Sequence, residues 1–331
     1  REQQLQAKYG ITKASDMPFT YSNNSLFDLA ATCAGETSII SLREHFRSHA
    51  DIIGFSNKYW YGNTLRVCTD YRRLKGYDRK NKSILWTNVS GDNFTPRGGS
   101  TLNNAEAKAV CEAIKDLLIN KDFPGTVGVV TPFRPQANRL RDIIRDSGIP
   151  LSTIDRAQLI IDTAHGFQGD ERDIIFFSPC VSPNMSEGSK RFLARTGNLF
   201  NVAITRARTL LHVIGNQSAC AGCGIPFIES FTAHVESLNK HFNEPTHFKC
   251  DSNDPRIGFW ERPFFAALVK AGFSPIPQYP VNQYRLDMAI ILGNIHLDIE
   301  IDGELYHKEL DGSRCKADVI RDIHLAALGW K

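Results

Sequence analysis

The stretch NLFNVAITRARTLLHVIGN, residues 198–216, places two arginines directly before an almost wholly apolar segment. The apolar run 210–215 predicts a buried strand, and Arg206 and Arg208 fall in the last turn of the short helix that precedes it. Arginines at this junction serve either solubility or the binding of an anion, because a guanidinium grips phosphate through paired hydrogen bonds. The second interpretation predicts an anionic ligand at the edge of a sheet.

Apolar strand-like segments alternate with helix-like segments from Leu42 to about Asn216. The helix-like segments carry apolar residues at every third or fourth position. This alternation predicts an α/β fold, a parallel sheet with helices on both faces. The predicted strands are 83–89, 126–132, 157–163, 172–179 and 210–215, and the predicted helices are 103–119 and 134–148.

The bulk composition is that of an ordinary globular protein, with 42% hydrophobic and 23% charged residues. A chain of 331 residues exceeds the usual size of one core, so we expect two domains. No apolar run approaches the roughly 20 residues that a membrane helix needs, and we expect no membrane partner. The net charge of +3 permits a nucleic-acid partner without arguing for one. The scattered cysteines suit reduced thiols in a cytoplasmic protein.

A composition rich in Gly, Pro, Ser, Asn and Cys marks a predicted domain boundary at residues 217–255. We therefore divide the chain into four parts. These are a polar lead-in over 1–40, a parallel-sheet domain over 41–216, a linker with one helix over 217–255 and a small α+β domain over 256–331.

Polar residues cluster after two of the predicted strands. Thr131 ends one strand, and the loop TAHGFQGDE (163–171) follows another. Ligands of open parallel sheets bind beyond the carboxyl ends of the strands, so we expect a site at this edge. The alternative is a capped turn, and the loop alone leaves both interpretations open.

Four ordered segments resemble helicase motifs IV, IVa, V and VI. The family is that of the superfamily 1 DNA and RNA helicases, specifically the subgroup that moves 5′ to 3′. The resemblance covers roughly residues 40–216 and implies the second of two RecA-like motor domains. Residues 1–40 are then a remnant of the upstream motor domain. The segments are SLREHFRSHADIIGFSNKYWYGNTL, VGVVTPFRPQANRL, IDTAHGFQGDERDIIFFSP and NLFNVAITRARTLLHVIGN.

This resemblance implies a nucleotide site that the chain shares with an upstream domain. Arg47 and Arg206 become the two arginines that reach the γ-phosphate of ATP. Gly169 and Glu171 border the nucleotide, and Gln168 couples it to the nucleic-acid strand. Without a GxxxxGK[ST] loop in the sequence, we expect the isolated chain neither to hydrolyse ATP nor to unwind a duplex.

The same resemblance places Thr131, Thr163 and His165 along a single nucleic-acid strand. Hydroxyl groups suit phosphate contacts that hold a strand without selecting its sequence. The expected partners are single- or double-stranded DNA and the upstream motor domain of the same protein.

A second group of candidate residues lies on a predicted hairpin, YRLDMAIILGNIHLDIEIDG (284–303). A two-residue turn at Gly293 and Asn294 places Asp287 directly opposite Glu300. Opposed carboxylates about 5 Å apart repel each other, so we expect a cation between them. Oxygen ligands suit Mg²⁺ or Mn²⁺. The alternative is a solvated acidic face.

Glu261 precedes an apolar segment that reads as an amphipathic helix. Ile257, Phe264, Phe265 and Leu268 stand at helical spacing from Glu261 and place it within the apolar stripe. A carboxylate there needs a cation or a salt bridge to an arginine.

The C-terminal part resembles the PD-(D/E)xK nuclease superfamily, in particular small domains related to very-short-patch repair endonucleases. The resemblance covers about residues 256–330 and implies a restriction-endonuclease-like fold. It rests on Glu261 and on the segments QYPVNQYRLDMAI, HLDIEIDGELYH and DVIRDIHLAALGW.

By this resemblance Asp287 and Glu300 hold the catalytic metal, with Glu261 as an outer ligand. Asp302 stands where the family has a lysine, and His307 is the candidate general acid or base. Gln278 orients the cleaved strand, and Arg321 touches phosphate. The sequence thus predicts part of an ATP-dependent DNA helicase–nuclease. The alternative is a non-catalytic nucleic-acid-binding module, an inactive nuclease fold, in a DNA or RNA helicase.

Overall fold

The computed structural model forms two compact units, Arg1–Arg43 and Glu44–Lys331. The first unit includes the helix Leu26–Ala34, none of whose residues is buried. The structure describes residues 4, 7–8, 25–34, 39–78, 81–96, 100–243, 257, 261–282, 284–293, 295–301 and 316–331.

Strands and helices alternate along most of the second unit. The strands are β1 (Glu44–His45), β2 (Arg66–Val67), β3 (Ile84–Asn88), β4 (Asn93–Phe94), β5 (Leu102–Asn103), β6 (Val127–Thr131), β7 (Ile160–Thr163), β8 (Arg172–Phe177), β9 (Ala207–Gly215), β10 (Ile276–Val281), β11 (Tyr284–Leu292) and β12 (Ile295–Ile299). With Leu26–Ala34 as α1, the helices are α2 (Ala50–Trp60), α3 (Asn104–Lys115), α4 (Arg134–Arg145), α5 (Leu151–Arg156), α6 (Glu187–Arg195), α7 (Gly197–Ile204), α8 (Gln217–Ala221), α9 (Pro226–Asn243), α10 (Arg262–Lys270) and α11 (Lys316–Ala327).

The centre of the unit is a five-stranded sheet in the order β3-β9-β8-β6-β7. Every neighbouring pair in it is parallel. Apolar side chains cover both faces, since Val127 and Val129 pack in one core cluster and Val130 packs in another. Helices α3 and α4 contribute to the first cluster, and α2 and α9 contribute to the second. The predicted parallel sheet with helices on both faces is confirmed.

Sequence analysis was wrong about where β9 begins. The strand starts at Ala207, and α7 ends at Ile204, so Arg208 lies in the strand and not in a helix. The ladder explains the difference, because Ala207 pairs with Arg172 of β8 before the apolar run starts. Only Arg206 remains at the junction between helix and strand.

The C-terminal region contains a three-stranded antiparallel sheet in the order β10-β11-β12. Its hairpin pairs Leu292 with Ile295 and Met288 with Ile299, which is the register expected from a two-residue turn. The predicted register is therefore confirmed. Helix α10 packs on one face through Phe265, and α11 packs on the other through Leu325.

Glu261 lies outside the helix in which the sequence placed it. Helix α10 begins at Arg262, and the backbone carbonyl of Glu261 accepts the first helical hydrogen bond from Phe265 at 2.9 Å. Phe264 is exposed, so the apolar face of α10 is narrower than the spacing suggested. Ile257, Phe265 and Leu268 do pack in one apolar cluster, and Glu261 stands at the amino end of their helix, so its place within the apolar stripe stays a prediction.

Among the described residues, no helix is both long enough and apolar enough to cross a lipid bilayer. The division of residues 44–331 into two domains stays a prediction, since they form one compact unit.

Candidate functional site

Three arginines from different segments meet at the amino edge of the central sheet. Arg47 follows β1, Arg206 follows α7, and Arg208 is the second residue of β9. The Arg47 Nε donates a hydrogen bond of 2.5 Å to Glu171 Oε2, and Arg208 Nε lies 3.7 Å from Glu171 Oε1. One carboxylate is thus shared by two guanidinium groups. We call Arg47, Arg206, Arg208 and Glu171 the arginine cluster.

Arg206 is held by backbone carbonyls. Its Nε donates to the Val202 carbonyl at 3.2 Å, and its Nη1 donates to the Asp170 carbonyl at 3.3 Å. Burial lowers the pKa of Arg206, and the positive charge of Arg47 lowers it further. The Arg47 Nη1 donates to the Thr205 carbonyl, directly before Arg206, at 3.5 Å, so the two arginines approach the same piece of backbone. The two bonds of Arg206 orient its guanidinium without neutralising it by a salt bridge.

His45 adds no positive charge to this edge at neutral pH. Burial, and secondly the charge of Arg47, lower the pKa of His45 to about 4. The neutral ring accepts a hydrogen bond from the Ser48 N–H at its Nε2, at 3.0 Å. It therefore fixes the backbone next to Arg47 through one hydrogen bond, as an uncharged acceptor.

The loop between β7 and β8 runs from the carboxyl edge of the sheet to its amino edge. Thr163 ends β7 at the carboxyl edge, whereas Glu171 directly precedes β8 at the amino edge. Sequence analysis placed the whole loop at the carboxyl edge, which was wrong for its last residues. Gln168 and Gly169 are exposed, and Gly169 has a φ of +88° with no atom within 4 Å of a Cβ added there. This part of the loop has open space beside the arginine cluster.

An exposed aromatic residue beside the cluster escaped the sequence analysis. Phe46 immediately precedes Arg47, and 66% of its surface is accessible to solvent. The signal was in the sequence, as an apolar residue between two basic ones in EHFRSH, but its exposure was not predictable from that pattern.

The carboxyl edge holds the residues predicted to follow a nucleic-acid strand. His165 is exposed and Thr163 is half-buried. Thr131 is fully buried, and its hydroxyl lies 3.9 Å from the Cys180 sulfur. A crevice of about 30 Å³ between these residues and Phe192 of α6 has room for water but not for a nucleobase. In this arrangement Thr163 and His165 are accessible to a strand, and Thr131 is not.

The third group of candidates lies between the hairpin and α11. Asp287, Asp298 and Glu300 share the sheet face that α11 covers. The Ile301 N–H donates to Asp287 Oδ2 at 3.0 Å, and Arg321 Nη1 lies 3.0 Å from Glu300 Oε2. We call Asp287, Asp298, Glu300 and Arg321 the acidic face.

The acidic face resists full ionisation. Burial raises the pKa of Glu300 to about 7; Arg321 opposes this shift, and Asp298 and Asp287 add to it. Burial likewise raises the pKa of Asp298. The opposed carboxylates expected from the sequence are therefore present, but the positive charge beside them is a guanidinium.

The oxygen atoms of the acidic face suit Mg²⁺ or Mn²⁺, but Arg321 already contacts one of them. No group of three or more His, Cys, Asp or Glu side chains among the described residues is arranged to hold a metal ion. Asp302 and His307 lie outside the described residues. Gln278 lies in β10 with a φ of +52°. A metal at Asp287 and Glu300 would share the Glu300 carboxylate with Arg321, which contacts Oε2 and leaves Oε1 without a hydrogen-bond partner among the described residues.

Comparison with known proteins agrees with this geometry. The family model described as "AAA domain" matches residues 22–218. Helicase sen1 of Schizosaccharomyces pombe is 32% identical over 207 residues, covering 60% of this chain and 12% of that protein. DNA polymerase alpha-associated DNA helicase A of Saccharomyces cerevisiae is 31% identical over 159 residues, covering 46% of this chain and 22% of that protein.

A regulator of nonsense transcripts 1 homolog from Neurospora crassa is 29% identical over 201 residues, covering 59% of this chain and 18% of that protein. The chain spans less than a quarter of the length of each of these three relatives. The chain belongs to the AAA-domain family, and the matched part is a superfamily 1 helicase domain.

Proposed function

We propose that the central-sheet region is the second motor domain of an ATP-driven nucleic-acid helicase, which acts with an upstream domain that holds the nucleotide. The observation that carries this proposal is the meeting of Arg47 and Arg206 at one edge of the sheet, around the single carboxylate of Glu171. Phosphoryl transfer spreads negative charge over the γ-phosphate oxygens, and arginines supplied from a second domain stabilise that charge.

Each arginine is prepared for this role in a different way. Arg206 is aimed by two backbone carbonyls and keeps its charge unpaired. Arg47 is paired with Glu171, so an incoming phosphate competes with that carboxylate for its guanidinium. Gln168 and Gly169 border the open space beside them. Phe46 presents a flat apolar surface that suits stacking against a nucleobase.

The opposite edge of the sheet supports the nucleic-acid part of the proposal. Thr163 and His165 are accessible there and offer a hydroxyl and an imidazole to phosphate oxygens. Thr131 joins them only if its buried hydroxyl turns outward. Such contacts do not distinguish DNA from RNA, and the relatives include a protein named as a DNA helicase and others named only as helicases.

Loss of either arginine tests the motor proposal. In the full-length protein, Arg206→Ala and Arg47→Ala should each lower the kcat of nucleic-acid-stimulated ATP hydrolysis by about 10³-fold, as for arginine fingers generally. Arg145→Ala, at an exposed position of α4, is the matched control and should leave kcat unchanged. Equal rates in all four proteins would refute the proposal.

We propose metal-dependent hydrolysis of DNA phosphodiesters as a second function, for residues 256–331. The observation in its favour is the pairing of Met288 with Ile299, which places Asp287 and Glu300 one residue further along the two strands, together with the hydrogen bond from the Ile301 N–H to Asp287. A bound Mg²⁺ or Mn²⁺ there would supply an activated water to the phosphodiester. The contact between Arg321 and Glu300 favours the alternative, a non-catalytic nucleic-acid-binding module.

A cleavage assay separates these two alternatives. Supercoiled plasmid is incubated with the chain and either Mg²⁺ or Mn²⁺, beside Asp287→Ala, Glu300→Ala and the surface control Asp146→Ala. Nuclease activity predicts nicking that both hairpin variants abolish and the control retains. Intact plasmid with wild-type protein, together with retained binding of a labelled oligonucleotide, would establish the non-catalytic module instead.

A further inference from the structure

Tyr71 joins the C-terminal region to the segment that carries Arg47. Its ring stacks on His49 at a centroid distance of 4.5 Å and an angle of 24°. It also makes an edge-to-face contact with the ring of His324, at a centroid distance of 4.4 Å and an angle of 85°. His49 directly precedes α2, whereas His324 belongs to α11, and all three rings are buried. The tyrosine is therefore enclosed between the two regions.

The hydroxyl group of Tyr71 makes the same connection. It accepts a hydrogen bond from the Ala50 N–H at 2.9 Å and another from Asn282 Nδ2 at 3.2 Å. Asn282 lies in the turn between β10 and β11 and has a φ of +53°. Ala327 and Leu328 at the end of α11 pack against the apolar cluster that contains Tyr71. A ring contact, a hydrogen bond and apolar packing thus converge on one residue.

A short, firmly bonded piece of backbone leads from this contact to the arginine cluster. The His49 N–H donates to the Arg208 carbonyl at 2.8 Å, and Thr69 Oγ1 donates to the Ser48 carbonyl at 2.8 Å. Arg47 is the next residue toward the amino terminus. A displacement of Tyr71 or His49 therefore moves the backbone from which the Arg47 side chain extends.

We infer that Tyr71, His324 and Asn282 are positioning residues, through which the C-terminal region fixes the orientation of Arg47 at the nucleotide site. The role of Arg47 toward nucleotide rests on the function proposed above, whereas the contact itself does not. His324 acts by its shape, because both of its ring nitrogens are buried and neither has a hydrogen-bond partner among the described residues. Burial lowers the pKa of His324 to about 4, so its ring is neutral at pH 7.

Side-chain NMR of the 331-residue chain labelled with ¹⁵N-arginine tests this inference. The Arg47 Nε–H is protected by Glu171, so its exchange with water reports the orientation of the side chain. His324→Ala and Asn282→Ala should each accelerate this exchange about fivefold or more, the lower end of measured couplings between linked sites. His324→Phe should restore the wild-type rate, because it keeps the aromatic edge and loses no hydrogen bond.

Two controls separate positioning from general loss of stability. The Arg172 Nε–H, bonded to the Gln158 carbonyl at 3.1 Å, is observed in the same spectrum and should not change. Ile323→Ala alters an exposed position of the same helix and should leave the Arg47 signal as in wild type.

Unchanged Arg47 exchange in Asn282→Ala and His324→Ala would overturn the inference, as would equal acceleration at Arg172. If His324→Ala does not fold, Asn282→Ala and His324→Phe decide the question. No nucleotide is present in this NMR experiment, so its outcome does not depend on the outcome of the ATP hydrolysis test.

Discussion

The arginine cluster and the acidic face combine the same chemical groups in opposite proportions. Around Glu171, the guanidinium groups of Arg47 and Arg208 share one carboxylate, whereas around Arg321, the contacting carboxylate of Glu300 has Asp298 and Asp287 beside it. The two sites respond differently to burial, because an arginine cannot discharge at neutral pH and a carboxylate can take up a proton. Arg206 therefore stays charged and open to an anion, while the pKa of Glu300 rises to about 7.

Removing one arginine from each site should give the largest difference in stability between the two sites. Arg321→Ala leaves Glu300 without its cation in a largely buried place, and we expect a loss of about 2 kcal/mol in the free energy of unfolding, after discounting for partial exposure. Arg208→Ala removes two long contacts, of 3.7 Å each to Glu171 and Asp173, from a more exposed guanidinium and should cost less than about 1 kcal/mol. Urea denaturation measures both losses. Equal losses would show that burial does not distinguish the two sites.

The Arg321→Ala variant also tests whether a metal ion can take the place of the guanidinium group beside Glu300. If Mn²⁺ binds the acidic face, it should raise the melting temperature of Arg321→Ala more than that of wild type, since Arg321 no longer competes for Glu300. The double variant Arg321→Ala, Asp287→Ala should lose this effect. An identical Mn²⁺ response in all three proteins would exclude the acidic face as the metal site.

The pH dependence of stability should show a difference of intermediate size. Glu300 has a raised pKa in the folded chain, so its stabilising contribution is complete below the ordinary value of 4.5 and is lost as the pH rises through about 7. The buried Glu106, whose pKa burial also raises to about 7, acts in the same direction. Buried histidines whose pKa is lowered to about 4, such as His45 and His324, act in the opposite direction below pH 6.5. The melting temperature of wild type relative to that of a Glu300→Gln variant should therefore fall between pH 5 and 8, by about 2–4 °C for each kcal/mol.

Single substitutions assign this pH dependence. Glu300→Gln and Glu106→Gln should each flatten part of the profile. A profile that retains its full slope in both variants would contradict the assignment.

Features set by local pattern were predictable from the sequence, and features set by distant contacts were not. Continuous apolar runs predicted the strands of the central sheet, and the Gly-Asn turn with alternating side chains fixed the hairpin register. The position of Glu171 at the amino edge was missed, because the composition of an eight-residue loop does not show whether the chain returns to the opposite edge of the sheet. The pairing of Arg321 with Glu300 was missed because α11 and β12 are separated along the chain.

The smallest expected effect is the binding of a free polyphosphate to the arginine cluster. Inorganic tripolyphosphate carries the charge of a nucleotide tail and should stabilise the isolated chain by about 0.4 kcal/mol at a concentration equal to its Kd, or about 1 °C. Arg47→Ala and Arg206→Ala should abolish the shift, and Arg145→Ala should retain it. Glu171→Gln should enlarge it, because the carboxylate that competes for Arg47 is gone. Since exposed charges are screened by salt, the shift should shrink as NaCl is raised above about 0.15 M. A shift that is insensitive to salt and to the three substitutions in the cluster would show that the anion binds elsewhere, and that the arginine cluster is not the stronger anion site of the two.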